Sequence, residues 1–210
     1  MTVATGRRHG GGPAGRKRAA VVRAARERFL RDGFGVTVEA IAGHARVSKA
    51  TVYSHFGTKE ELFAEVVGEA VEEACREPFE TMREFVRRAP DVRGALTAAA
   101  RAWVDGLARP DVLALRALVA AESARFPELA GVWRTYGPDR LAAALAELLR
   151  GDPRLDVPNV DVAVLQFHAL VLYPHFAHGG YPAPLDPETA DELIARGVEM
   201  FLAYYGRDGR

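Results

Sequence analysis

A single cysteine, Cys75, stands in 210 residues. That excludes a disulfide framework and a cysteine-rich metal cluster, and it permits a reducing compartment. No apolar run reaches the roughly 18 residues of a membrane-spanning helix, so no membrane partner is expected. The first ten residues carry Arg7 and Arg8 but no apolar core after them, unlike a secretory signal, and a soluble protein of the cytoplasm is expected. Catalytic patterns are lacking as well. No Ser/His/Asp arrangement, paired metal-ligand motif or glycine-rich phosphate loop rises above chance, so an enzyme is not expected, nor is a cofactor or a metal. Net charge is also missing, because 28 Lys+Arg balance 28 Asp+Glu. What the chain has in quantity is apolar residues: 49% hydrophobic against 27% charged is enough to build a core and rules out wholesale disorder.

The absent charge is a cancellation. Residues 1–60 hold 12 Lys+Arg against four acids (Glu27, Asp32, Glu39 and Glu60), a net of +8. The remaining 16 basic and 24 acidic residues leave −8 for residues 61–210. A basic end joined to an acidic body suggests that one part meets a polyanion while the rest does something else.

Helical spacing governs the whole chain, with no convincing strand and no internal repeat. Residues 1–15 lack periodicity and read as a mobile basic arm. Val22, Ala25 and Phe29 recur at helical spacing over 16–32, and Gly33 supplies the stop. Thr37 caps a second, short helix, residues 45–48 form a tight turn, and Ser48 caps a third helix that Gly57 ends. Thr58 and Glu61 form a capping box for a fourth helix reaching to about Cys75, with Leu62, Phe63, Val66 and Val71 on its apolar face. Further helices are expected near 93–108, 111–125 and up to Arg150, with an interruption at Gly137-Pro138. Asn159 caps one to about His178, bent at Pro174, and Asp186 opens the last, 187–205. The fold class is all-α.

Three short helices with a tight turn between the second and third, under a basic surface, have the layout of a helix-turn-helix, whose last helix enters the DNA major groove. Specific residues sharpen this. Ala25, Phe29, Gly33-Phe34, Thr37, Ile41-Ala42, Ala45, Val47-Ser48, Thr51, Tyr53, His55-Phe56, Lys59 and Leu62 make the stretch from Arg26 to Leu62 resemble the DNA-binding domain of the TetR/AcrR-type transcriptional regulators. Two departures are Arg46, where the family often has glycine in the turn, and Val36, where it often has threonine and where a phosphate contact is expected to be lost.

The resemblance implies residues 16–60 as a DNA-binding domain, a connecting helix over 58–75, and a ligand-binding and dimerisation domain over 76–210. It also implies roles for single residues. Lys49, Ala50 and Tyr53 would meet base edges or the adjacent backbone, Lys49 donating to guanine and Ala50 touching a thymine methyl. Thr37, Thr51, His55 and Lys59 would hold phosphates, with Ser48 at the N-terminus of the recognition helix. Arg16, Lys17 and Arg18 would add backbone or minor-groove contacts, with Arg7 and Arg8 further out on the arm. Ile41, Val47, Val52 and Phe56 are expected in the core.

One short helix reads only a few base pairs, and dimers set two of them about 34–36 Å apart. In the resembled family the last two long helices pair with their mates, which points here to Leu165 and Leu172 on 159–178 and to Ile194, Gly197, Val198, Phe201 and Tyr205 on 187–205. Packing of all these within one chain is the alternative. Members of the family usually bind a small effector between the middle helices. Leu118 and Glu122 fall in a stretch similar to AcrR-type members, and Trp103, Leu107, Trp133, Tyr136, Phe167, His168 and Val171 are candidate lining by helix face and residue type, hinting at an apolar or aromatic effector. Glu122 sits on an apolar stripe, where a buried carboxylate needs a partner such as Arg116 or Arg125 or else faces a ligand. His168, His175 and His178 share a face, but Pro174 disturbs it and no metal is assigned. Cys75 lies beside Glu72 and Glu73, which would raise its thiol's pKa.

The expected function is a homodimeric repressor released from a palindromic, double-stranded DNA operator by a small effector. An activator of the same fold and a non-specific architectural DNA-binding protein are the alternatives.

Overall fold

A computed structural model describes residues 12–88, 91–178 and 185–207. Arg7, Arg8 and most of the expected basic arm lie outside the described residues. The described residues form helices α1 (Pro13–Asp32), α2 (Val38–His44), α3 (Lys49–Phe56), α4 (Lys59–Arg88), α5 (Val92–Leu107) and α6 (Pro110–Glu122). After these come α7 (Glu128–Tyr136), α8 (Pro138–Gly151), α9 (Val160–Val171), α10 (Tyr173–His178) and α11 (Pro187–Tyr205). Among the described residues the only β pairing is one isolated bridge, Leu155 to Gly206.

Short polar side chains start the helices by accepting from otherwise unpaired amides. Thr37 Oγ1 accepts from Ala40 N at 3.2 Å, Ser48 Oγ from Thr51 N at 3.1 Å, and Thr58 Oγ1 from Glu61 N at 3.0 Å. Asn159 and Asp186 accept in the same way from Val162 N and Thr189 N, at 3.1 and 2.9 Å. Helix α1 starts three residues before the expected position, because Pro13 lies in the first turn, where a missing N–H costs nothing. Helix α4 continues past the expected end near Cys75, through Pro78, to Arg88. The proline deletes one N–H from the ladder and the helix resumes beyond it. Near Pro174 the chain breaks into α9 and α10 at Leu172.

The chain divides into two compact units, Met1–Val67 and Gly68–Arg210, with the division inside α4. The expected boundaries lay at residues 60 and 75. In the first unit Leu62, Phe63 and Val66 are buried with residues of α1 and α2. Three phenylalanines centre it: the Phe63 ring meets Phe29 at 4.8 Å and Phe34 at 5.2 Å, both edge to face, and Phe29 stacks on Phe34 at 5.9 Å. Glu27 on α1 pairs with His44 on α2 at 2.6 Å.

In the second unit α11 packs on α5 and α9. A run of rings, Trp103–Phe167–Phe201–Tyr205, crosses these helices with centroids 5.6, 5.2 and 4.7 Å apart. A methyl group on Gly197 would sit 2.9 Å from Val171 Cγ1, so the missing side chain lets α11 press against α9 of its own chain. This changes the expected dimer surface. Leu172, Ile194, Gly197, Val198, Phe201 and Tyr205 are buried inside the chain's own core, and the Tyr205 hydroxyl donates to Gln166 Oε1. The apolar stripe of α11 is consumed by α5 and α9. Of the expected interface residues only Leu165 is open, at 69% exposure, alongside exposed Val162, Tyr173, Met200 and Tyr204.

Candidate nucleic-acid interface

Helices α2 and α3 are joined by a turn in which Arg46 holds φ +55°, the only positive φ at a non-glycine among the described residues. Its amide donates to Gly43 O at 3.2 Å and the Val47 amide to Ala42 O at 3.0 Å, which fixes the sharp change of direction. Glycine suits that conformation best, so arginine there adds a cation at the cost of strain. Val47 is half-buried rather than a core residue, while Ile41, Val52 and Phe56 are buried as expected. Val36 is also buried, so the side chain at this position packs in the core.

Helix α3 turns Val52 and Phe56 inward, which leaves Lys49, Ala50 and Tyr53 outward, Tyr53 at 41% exposure. The Lys49 ammonium pairs with the Glu39 carboxylate on α2 and lies 5.7 Å from the Tyr53 ring centroid. That pairing holds the Glu39 carboxyl below its usual range and raises the Lys49 ammonium above its own. The Ser48 and Thr51 hydroxyls are 2.8 Å apart at the start of α3, and His55 stands half-buried at its end. Thr37 is exposed at the N-terminus of α2. Arg16 and Lys17 are exposed on α1.

Two expected DNA contacts, Lys59 and Arg18, are drawn into the scaffold. The Lys59 ammonium donates to Phe34 O at 2.8 Å and Val36 O at 3.4 Å and lies 4.3 Å from the Phe34 ring centroid, which takes up two of its three donors. The Arg18 guanidinium pairs with Glu65 and stacks 5.1 Å from the Phe56 ring centroid. Both lock α1, the loop before α2 and the start of α4 around the reading helix. Sequence reasoning missed the Glu39–Lys49 pair, whose only signal was a lone acid in the first turn of α2.

The candidate effector residues divide. Trp103 and Phe167 are buried, with His168 half-buried 5.6 Å from the Trp103 ring. Leu107, Trp133 and Val171 are buried, and Leu118 is half-buried. Glu122 is half-buried at the last position of α6 and makes no side-chain ion pair among the described residues, with neither Arg116 nor Arg125. Arg116 instead lies 4.2 Å over the Phe176 ring. Among the described residues no group of three or more His, Cys, Asp or Glu side chains could hold a metal. His175 is buried on α10, and the His178 side chain lies outside the described residues. The Cys75 thiol is pushed up to about 11 by burial, not by its acidic neighbours, while Arg140 and Arg109 pull the other way. Among the described residues no helix is long and apolar enough to cross a membrane.

A capped, right-sized helix presenting a lysine and a tyrosine, set by a tight turn on a basic unit, defines a helix-turn-helix DNA-binding regulator. Residues 21–66 match the family model for bacterial regulatory proteins of the tetR family, and residues 94–207 match that for the C-terminal domain of AefR-like transcriptional repressors. The chain belongs to the TetR family of transcriptional regulators. It is similar to a solved structure assigned to the TetR-family transcriptional regulators from Mesorhizobium loti MAFF303099, at 27% identity, TM-score 0.82, over 93% of this chain and 99% of that one. It is also similar to the flavonoid-responsive regulator FrrA, at 29% identity, TM-score 0.72, over 92% and 98% of the two chains. A TetR family transcriptional regulator from Pseudomonas syringae pv. tomato str. DC3000 matches at 29% identity, TM-score 0.70, over 91% and 98%. No curated protein matches the chain.

Proposed function

We propose that the protein is a homodimeric repressor that leaves a palindromic operator when a small effector binds its C-terminal unit. The match of residues 94–207 to an AefR-like repressor domain carries this reading. Residues 16–60 read DNA through Lys49, Ala50 and Tyr53, with Arg16, Lys17, Thr37, Ser48, Thr51 and His55 gripping the backbone and Arg18 and Lys59 holding the reading helix. The helix over 58–75 connects, and residues 76–210 sense and dimerise. The protein acts in the cytoplasm by binding, without catalysis.

The apolar face left open on α9 and α11, with Val162, Leu165, Met200 and Tyr204, supports pairing with a second copy through these helices. Bare valine, leucine and methionine on one face of a soluble chain mark an interaction surface. The responsiveness of FrrA to flavonoids supports an aromatic effector in a related C-terminal domain.

Selection of binding sites from random duplexes is the test. A two-fold symmetric site, bound about a thousandfold or more tighter than random DNA at physiological salt, is the expected result. Equal affinity for random duplexes would overturn the reading.

A further inference from the structure

The second unit holds a buried hydrogen-bond donor with nothing to donate to among the described residues. Trp103, on α5, is 2% exposed, and its indole Nε1 is buried with no hydrogen-bond partner among the described residues. A buried N–H without an acceptor costs about 1–3 kcal/mol, so an acceptor arriving from outside would be favoured there. The indole lies 5.6 Å from the His168 ring on α9, and that ring lies 5.8 Å from Phe176 on α10. Over Phe176, at 4.2 Å, sits the guanidinium of Arg116 from α6.

Arg116 is half-buried and makes no ion pair among the described residues. Burial pushes its pKa down, and among the described residues the other group bearing on it is the Tyr173 phenol, not a carboxylate. It nevertheless stays charged, because a guanidinium starts far above neutrality. Burial, and then the Arg116 charge, depress the pKa of His168, so this imidazole is neutral at pH 7 and the local charge is that of a single unanswered cation. A cation half withdrawn from water without a counter-ion attracts an anion more strongly than one on the open surface. The geometry restricts what that anion can be. The guanidinium carbon lies over the Phe176 ring, and the N–H donors radiate in the plane of the group, which suits a planar carboxylate held by two parallel bonds. The surrounding surfaces are the rings of Trp103, His168 and Phe176, which suit a flat apolar body.

We infer that Arg116, Trp103 and His168 form the anion-recognising end of the effector site, and that the effector is an aromatic carboxylate. This rests on the effector-released reading above but specifies what that reading leaves open. Arg116 binds the carboxylate through its donor edge, and the Trp103 Nε1–H supplies a further donor.

Calorimetry on the full chain with 1-naphthoate and its neutral counterpart 1-naphthamide tests it. The carboxylate should bind about 10- to 100-fold tighter than the amide, the range of a charged hydrogen-bonding contact. In R116Q the two affinities should become equal, and R116K should restore part of the difference. W103F, which keeps a ring and removes the donor, should weaken naphthoate by about threefold to tenfold. A circular-dichroism melt establishes that each variant folds, and W103F and R116K carry the test if R116Q does not. Equal affinities in the wild type, an undiminished preference in R116Q, or no binding of either compound at millimolar concentration would each overturn the inference. Release from selected operator DNA is measured separately. If naphthoate binds with the expected pattern and DNA stays bound, the site stands and the release reading falls. If a neutral compound releases DNA while naphthoate does not bind, the reverse holds.

Discussion

The Glu39 carboxylate on α2 holds the ammonium of Lys49, the first residue of the reading helix, across the turn of the helix-turn-helix. Each partner shifts the other toward its charged form. The Glu39 contribution is present above the ordinary carboxylate pKa and is lost as pH falls through its lowered value. The Lys49 contribution is lost only as pH rises through its raised one. Over the neutral range both partners are charged, so the DNA contact proposed for Lys49 would compete with an internal carboxylate.

Removing that competitor should strengthen the grip on DNA. E39Q should raise affinity several-fold for both specific and random duplexes and steepen the salt dependence, in line with one more cation freed to face the polyanion. Fluorescence anisotropy titrations at several salt concentrations give both numbers. K49A combined with Y53A should abolish specific binding while the melting curve stays near that of the wild type, since both side chains are exposed. Loss of folding in the double variant would place these side chains in the core.

Arg46 trades backbone comfort for charge. R46G should stabilise the first unit by about 0.5–1 kcal/mol in urea unfolding, because glycine adopts φ +55° freely. The same change should weaken DNA binding by a similar factor for every sequence, since a backbone contact carries no sequence information. R46A keeps the strain, loses the charge, and should show only the second effect.

The exposed and the buried apolar residues of α9 and α11 should behave in opposite ways. L165K together with M200E should shift the protein to monomer in sedimentation analysis with little change in fold, since both are open in the single chain. F201A should instead cost about 3–5 kcal/mol of stability, because it empties the space between Phe167 and Tyr205.

Cys75 should be nearly inert. With a thiol pKa of about 11 against an ordinary 9.0, its thiolate population at pH 8 is about a hundredfold below that of an exposed cysteine. Iodoacetamide should therefore label the native protein at least about a hundredfold more slowly than the unfolded one. The raised value also means that the stability the protonated thiol provides is lost as pH rises from 9 toward 11. C75A should remove that part of the alkaline decline.

Much of this was legible in the sequence because it is local. Thr37, Ser48, Thr58, Asn159 and Asp186 are caps, and a cap needs only its own next three residues. Gly33 and Gly57, with φ +73° and +67°, end their helices as their position suggests. The end of α4 was not legible, because the helix that resumes past Pro78 owes its persistence to the residues beyond the proline. Nor was the role of the α11 stripe. Ile194, Val198 and Phe201 carry the spacing of a buried face, but periodicity does not say whose surface buries it, and α5 and α9 of the same chain do. The same holds for Glu122 and Arg116: both sit half-buried on α6, yet only packing shows that the cation is the one set over an aromatic ring.

The cluster of Phe29, Phe34 and Phe63 has a consequence for the order of events during synthesis. These rings are at most 34 positions apart in sequence, so the first unit closes its centre through short loops. Helical units with such local contacts fold in about microseconds to milliseconds, whereas a ribosome adds about 5–20 residues each second. The DNA-binding unit should therefore close while the C-terminal half is still being translated, and the nascent chain is basic before its acidic remainder has emerged.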